Sequence, residues 1–575
     1  MTDEKKPIEV TINMNENCSQ CGNPGTINGG RCLTCSGDDI RLYDLKRSDT
    51  LNTDSIPDIR RQVQERVKEE SEKFPPKDKD ENKITSEFIS QCLLENAKGD
   101  ATLYSELFRD KYTYCKGMKE WFTWDSHYWK LDIMDQAVTA VEEVAQKYLE
   151  EYKTTSKKVA EMANAGADAN DIKKLQGKCT KLSERIRQLR GTNRREQCLK
   201  FVHTIKGSLA ISGEEFDKQP MLFPCANGVI DLETGKLHPG RPADYLSLAS
   251  PVEFHGIDDP PELWEKSLLE IYGCEGSDAD RSMPEYIQRL FGYAMTGHSH
   301  EKVFPIFFGK GGWNGRSIIL ETASDVMGAM AGPIPSEMLL SQKFAKSSSG
   351  PSPDVMKLKG LRLAIATETD ENQRFSTAKI KWYTGNNELT GRWPNDKRPI
   401  DFRPTHTLIL ESNYQPAAPA NDRSFWERVH LIPHKISYVN RDPKELFERR
   451  ANLNLRKELE KEKSKILGWM VRGCLLWQKY GLNPPDIVTE ATKKYREDED
   501  MIGDFTDECC IKEPGAKEKG AYLYNRFVEW YHANIGKNEP SGTWFGKQLS
   551  QKYEKNKSTG CVMYHGIKLA DGSEG

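Results

Sequence analysis

Phe307-Phe308-Gly309-Lys310-Gly311-Gly312-Trp313-Asn314-Gly315-Arg316-Ser317 is the stretch on which the rest of the chain turns. An apolar run at 303–308 precedes it and has the composition of a buried strand. Ser317-Ile318-Ile319-Leu320-Glu321-Thr322 follows and reads as the first turns of a helix. Strand, glycine-rich loop and helix is the setting in which backbone N–H groups and a helix N-terminus cradle phosphates. The stretch departs twice from the strict pattern G-x-x-x-x-G-K-[ST]. The spacing from Gly309 is one residue longer, and position 316 holds arginine in place of lysine. A glycine-rich surface turn has the same composition, so the surrounding chain must decide.

The chain has 575 residues, enough for about three to four domains. Lys and Arg (83) nearly balance Asp and Glu (87), leaving a net charge of -4, so a nucleic-acid surface has to be local. No apolar run approaches the roughly 20 residues of a membrane span. The opening MTDEKKPIEV lacks the apolar core of a signal peptide. Most of the 14 cysteines stand singly, as Cys92, Cys115, Cys179 and Cys274 do. That argues against a disulfide framework and for a cytoplasmic protein without membrane association.

Residues 1–38 carry Cys18-x-x-Cys21 and Cys32-x-x-Cys35 among several glycines. Two such knuckles suit tetrahedral sulfur ligation of structural Zn2+, although four unrelated thiols have the same spelling. Residues 39–85 form a charged linker containing Pro75-Pro76. In 86–280, Glu120-Trp121-Phe122-Thr123-Trp124-Asp125 and His127-Tyr128-Trp129 suggest a hairpin. The region 134–205 has helical periodicity, broken at 165–167, and Asn227-Gly228-Val229-Ile230 marks a turn and strand. Residues 281–440 alternate apolar strands, at 303–308, 362–367, 407–410 and 429–432, with helices; this indicates a parallel α/β sheet. A helical segment at 441–485 closes that core, and 486–575 forms a last small domain with helices at 521–527 and 543–549.

The second strand ends in Thr367-Glu368-Thr369-Asp370, carboxylates placed where a nucleoside triphosphatase holds Mg2+ and polarises water. The third ends in Glu411-Ser412-Asn413, where Asn413 can orient a water. Asp422-Arg423-Ser424-Phe425-Trp426-Glu427-Arg428 offers an arginine finger. Between these strands Lys379, Lys381, Arg392, Lys397, Arg398 and Arg403 interleave with Trp382, Tyr383, Trp393 and Phe402, a pattern suited to single-stranded nucleic acid. Pro394-Asn395-Asp396-Lys397 puts Lys397 at a hairpin tip. Each piece also has an ordinary reading: a polar loop after a strand, a capped turn, a surface cation or a solvated face.

Taken in order, these parts resemble the superfamily 3 helicases of the AAA+ class. More narrowly, they resemble the C-terminal helicase half of phage and plasmid primases and poxvirus-type primase-helicases. The resemblance covers roughly residues 86–570. It implies a multidomain α/β fold: an AAA+ parallel-sheet ATPase core, the zinc module, a helical N-terminal helicase domain and a C-terminal winged-helix domain. It implies that Gly309, Gly311, Gly312, Asn314, Gly315, Arg316, Ser317 and Ile318 bind ATP, and that Ser317, Glu368 and Asp370 hold Mg2+. Glu368, Asn413 and Arg316 would act in one subunit, with Arg428, or Arg423 in reserve, reaching in from the next. Lys381, Arg392, Lys397 and Arg398 would contact DNA. The implied protein is an ATP-dependent, ring-forming DNA helicase, a homo-hexamer on single- and double-stranded DNA. It would act in replication initiation of a phage, plasmid or other mobile element. About 85 residues precede the helicase portion, too few for a primase core, so a separate primase or other replication protein is the expected partner. The planar fork of Arg316 is no substitute for a compact ammonium. The alternative is therefore a nucleotide-binding DNA-recognition or loading protein with weak or no hydrolysis, and a zinc-anchored scaffold without nucleotide is a third reading.

Overall fold

The computed structural model describes residues 12–17, 24–27, 84–275, 280–342, 351–367, 373–394, 399–537, 539–558 and 561–570. The chain divides into two compact units, Met1–Lys83 and Ile84–Gly575. In the first, strands Ile12–Asn17 and Pro24–Ile27 pair antiparallel. Cys18, Cys21, Cys32 and Cys35 lie outside the described residues.

The second unit begins with helices and small sheets. The expected hairpin forms: Glu120–Asp125 pairs antiparallel with Tyr128–Leu131 across a turn in which Ser126 has φ 58°. Helices α1 (Val141–Asn164) and α2 (Ala169–Leu189) make the helical hairpin. The break falls at Gly166, whose φ of 64° a side chain resists, and Asp168 caps α2 by accepting from the N–H groups of Asn170 and Asp171. Fully buried Asp100 accepts from Arg185 (2.6 Å), Arg194 (2.7 Å) and Tyr148 Oη (3.0 Å), a charge compensated from three sides.

Five parallel strands form the central sheet: β1 (Phe304–Phe308), β2 (Ala331–Ile334), β3 (Leu363–Thr367), β4 (Thr407–Ser412) and β5 (Val429–Pro433). Their order is β2-β3-β4-β1-β5. Alternation splits the strands between two cores. Phe307, Leu363, Ile365, Ile409 and Ile432 pack on one face, and Phe304, Ile306, Ala364, Leu408 and Leu431 on the other. Burial on both faces is why β1, β3, β4 and β5 read as apolar runs. Helices α3 (Ser282–Ala294), α4 (Arg316–Met327) and α5 (Lys463–Tyr480) share the first core. Buried Arg362, just before β3, donates to the carbonyls of Gln219, Pro220, Leu222 and Met295 and so staples the preceding region to the sheet.

Helix α6 (Asp486–Asp498) belongs to this core, not to the last domain. Val488 and Tyr495 lie two turns apart on one buried stripe, and Thr492 Oγ1 accepts the Leu431 N–H of β5 at 2.9 Å. The last domain therefore starts at α7 (Met501–Cys509). It continues through β6 (Cys510–Lys519), α8 (Gly520–Asn534), α9 (Gly542–Lys552), β7 (Lys555–Ser558) and β8 (Cys561–Leu569), with an antiparallel sheet of order β6-β8-β7. Phe505, Leu523, Phe527, Phe545 and Leu549 form its separate core.

Candidate active site

All five strands run the same way, so their carboxyl ends share one edge, where α/β sheets bind ligands. At that edge β1 passes into the glycine-rich loop. Gly311, Gly312, Trp313 and Gly315 have φ of 84°, 68°, 51° and 79°, a left-handed run that curls the backbone before α4 begins at Arg316. A Cβ on Gly309 would lie 2.2 Å from Asn314 Nδ2 and 3.0 Å from the His434 carbonyl. One on Gly315 would strike the Ile271 side chain. Trp313, 66 % exposed, is held through its carbonyl by the Tyr438 N–H at 2.6 Å.

Asn314 is the buried keystone of the loop. Its Oδ1 accepts from Arg316 Nε (2.8 Å), and its carbonyl lies 3.2 Å from His434 Nδ1. Burial pushes the His434 imidazole down to about 3, with the Arg316 charge adding to the effect and the Asn314 carbonyl opposing it, so the ring is neutral and Nδ1 is its donor. Asn314 Nδ2 is buried and has no acceptor among the described residues.

Arg316 is 5 % exposed. Its Nη1 donates to the Ser412 carbonyl, and its Nη2 to Asn413 Oδ1 at 2.7 Å. The guanidinium thus lies along the sheet edge and joins the loop to the end of β4. Burial lowers its affinity for its proton, and Glu411 counters that. The next residue, Ser317, donates from Oγ to Glu411 Oε1 at 2.6 Å. Glu411 pairs in register with Phe307 of β1 and Thr367 of β3. Sequence reasoning passed over Glu411 although it is a strand-end carboxylate of the same kind as Glu368. Glu368 and Asp370 follow β3 in sequence and lie outside the described residues.

Arg428 sits at the opposite edge. Its carbonyl accepts the N–H of Phe304, the first residue of β1, and the five residues of β5 separate it from the carboxyl edge, about 15 Å. Its Nη1 donates to the Ser424 carbonyl, and its Nε is buried without an acceptor among the described residues. Arg423 pairs with Glu427 at 2.7 Å on the surface.

Of the residues expected to meet DNA, Lys381 is engaged by Asp422 (2.8 and 3.0 Å), the residue that caps the helical turn Arg423–Trp426. Arg392 follows strand Leu389–Gly391, which pairs antiparallel with Ile400–Phe402, and its N–H donates to Ser352 Oγ at 3.0 Å. Lys397 and Arg398 fall between those strands, outside the described residues. On α9, Gln548 and Gln551 accept from Asn421 of the core, so part of that helix's polar face is already occupied.

Residues 101–273 match the family described as D5 N terminal like, covering the region read as the N-terminal helicase domain. The "Putative helicase" of Acanthamoeba polyphaga mimivirus is 26% identical over 465 residues, spanning 78% of this chain and 47% of that protein. The "Putative helicase" of Frog virus 3 is 22% identical over 399 residues, with 58% and 40% covered. The "Putative primase" of African swine fever virus, isolate Warthog, is 24% identical over 347 residues, with 56% and 34% covered. The chain thus spans less than half the length of these relatives. The apo A form of the NrS-1 C-terminal region aligns at TM-score 0.32 and 12% identity, over 61% of this chain and 83% of that one. The similarities are thus to viral proteins named putative helicases and a putative primase. Among the described residues no helix is long and apolar enough to cross a membrane.

Proposed function

We propose that the chain is an ATP-dependent DNA helicase of the superfamily 3 AAA+ type, acting in replication of a viral or other mobile genome. One observation carries this reading: the left-handed glycine loop between β1 and α4 stands at the carboxyl edge beside Asn413, held there by Arg316. Phosphates would lie over the loop and the first N–H groups of α4. The Ser317 hydroxyl and Glu411 carboxylate are hard oxygen donors and fit Mg2+, which would neutralise charge on the phosphates when bound. Glu368 and Asp370 complete the proposed acidic set. Asn413 would orient the attacking water. The distance of Arg428 from its own loop favours action on a neighbouring subunit, as a homo-hexamer would arrange. The helix-strand-helix-helix-strand-strand order of the last domain supports a winged-helix reading, and the paired CxxC motifs support Zn2+ near the N-terminus.

DNA-stimulated ATP hydrolysis by wild type and Glu368→Gln tests the proposal. Stimulated turnover lost in the variant is expected; equal, negligible turnover in both would sink the enzymatic reading. The engagement of Arg316 by protein oxygens favours a second reading, a nucleotide-binding loader that does not hydrolyse. Hydrolysis that appears only in Arg316→Lys would establish that one.

A further inference from the structure

Lys310 is the exposed cation of the loop. It stands between Gly309, packed against Asn314, and Gly311, which is left-handed with open space beside it. Among the described residues it makes no ion pair. Its ammonium is a compact charge on a flexible stem, free to swing over the loop. Arg316 is placed in the opposite way. Nε, Nη1 and Nη2 are each accepted by a protein oxygen, those of Asn314, Ser412 and Asn413, in a buried position. Turning it toward a phosphate would strip three acceptors of their donor at once. A second donor already faces the loop, the buried Asn314 Nδ2 beside Gly309.

We propose that Lys310 and the Asn314 carboxamide hold the nucleotide's phosphates, while Arg316 is a positioning residue that sets Asn413 against the loop. The inference rests on the nucleotide reading above and deepens it. The charge that the loop lacks at position 316 is supplied from position 310. The extra residue in the Gly309-to-Gly315 spacing lengthens the loop that carries it.

The test is equilibrium binding of N-methylanthraniloyl-ATP with Mg2+ to the full chain, read by fluorescence anisotropy, for wild type, Lys310→Ala, Lys310→Gln, Lys310→Arg and Arg316→Lys. Loss of one charge-assisted phosphate contact should weaken binding about ten- to hundredfold in Lys310→Ala and Lys310→Gln. Lys310→Arg should recover it, and the thermal midpoint without nucleotide should not move, because the side chain is exposed. Arg316→Lys should bind within about threefold of wild type but show lower kcat at similar KM. Lys310 variants that bind like wild type would overturn the inference. So would Arg316→Lys losing affinity while Lys310→Ala keeps it, an outcome that leaves the nucleotide reading standing. Wild type that fails to bind the analogue at millimolar concentration would remove that reading and this inference together.

Discussion

Arg316 Nη2 donates to Asn413 Oδ1 at 2.7 Å, which ties the first residue of α4 to the residue after β4. A conformational change at either one must be felt at the other. Asn413→Ala should therefore act on turnover rather than on binding. Asn413 is exposed, so water can replace it as acceptor and stability should change little. On the proposed reading, in which Asn413 orients the attacking water, its loss should cut kcat about a hundredfold, with the affinity for a nucleotide analogue retained. Steady-state ATPase kinetics beside analogue binding separate the two; a pure KM effect would refute the assigned role.

The glycines of the loop differ in what they tolerate. A methyl on Gly309 meets Asn314 Nδ2 at 2.2 Å and must displace it, and Arg316 with it. Gly309→Ala should lower stability by about 1–3 kcal/mol and abolish analogue binding. Gly311 has open space around it and only its φ of 84° against a side chain, so Gly311→Ala should cost about 1 kcal/mol. Urea denaturation of both variants ranks them, and equal midpoints would contradict the packing argument.

Arg428 is too far from its own loop to act there. On the proposed reading, Arg428→Ala would keep a complete loop but lack the finger, and Asn413→Ala would keep the finger but lack the water-orienting group. Each alone should hydrolyse ATP slowly. In a mixed ring some sites combine an intact loop with a neighbour's intact Arg428, so the mixture should exceed the average of the two. A mixture that only averages them would place the role of Arg428 within its own subunit.

The proposed Zn2+ site of the paired CxxC motifs makes a prediction of composition. The purified chain should contain about one zinc per chain, lost on Cys18→Ser or Cys32→Ser together with the fold of the N-terminal unit. Elemental analysis with proteolysis of that unit checks it; full metal content in both variants would dismiss the four-cysteine site.

How much of this was legible follows from which forces act locally. Four of the five sheet strands showed as apolar runs because both their faces are buried. The fifth, β2, has the sequence Ala331-Gly332-Pro333-Ile334, which spells a turn. It is a strand because it lies at the sheet edge and pairs only with β3, where proline costs no shared hydrogen bond. The helix after the loop was readable from Ser317-Ile318-Ile319-Leu320, and the hairpin break at 165–167 from its glycine. The direction of the Arg316 side chain was not readable, since its acceptors, Ser412 and Asn413, lie 96 and 97 residues away in sequence. Nor was the commitment of Lys381 to Asp422, 41 residues on. Tertiary packing sets both contacts, of α4 against the end of β4 in one case and of two helical segments in the other, and a motif does not encode it.

The buried histidines give the fold a pH dependence of fixed sign. His434 is 5 % exposed and His406 2 %, and burial pushes their imidazoles down to about 3 and about 4. In the unfolded chain both titrate near 6.5. Below that pH the unfolded state takes up protons that the folded state refuses, so stability is full above about 6.5 and is lost progressively toward 4. By pH 5 each histidine should cost about 2 kcal/mol relative to pH 7.5. His434→Asn keeps a donor for the Asn314 carbonyl but removes the titration. Its loss of stability between pH 7.5 and 5 should therefore be smaller than that of wild type by about the same 2 kcal/mol. Urea midpoints at the two pH values decide: the same loss in both proteins would mean that His434 is already protonated in the folded state.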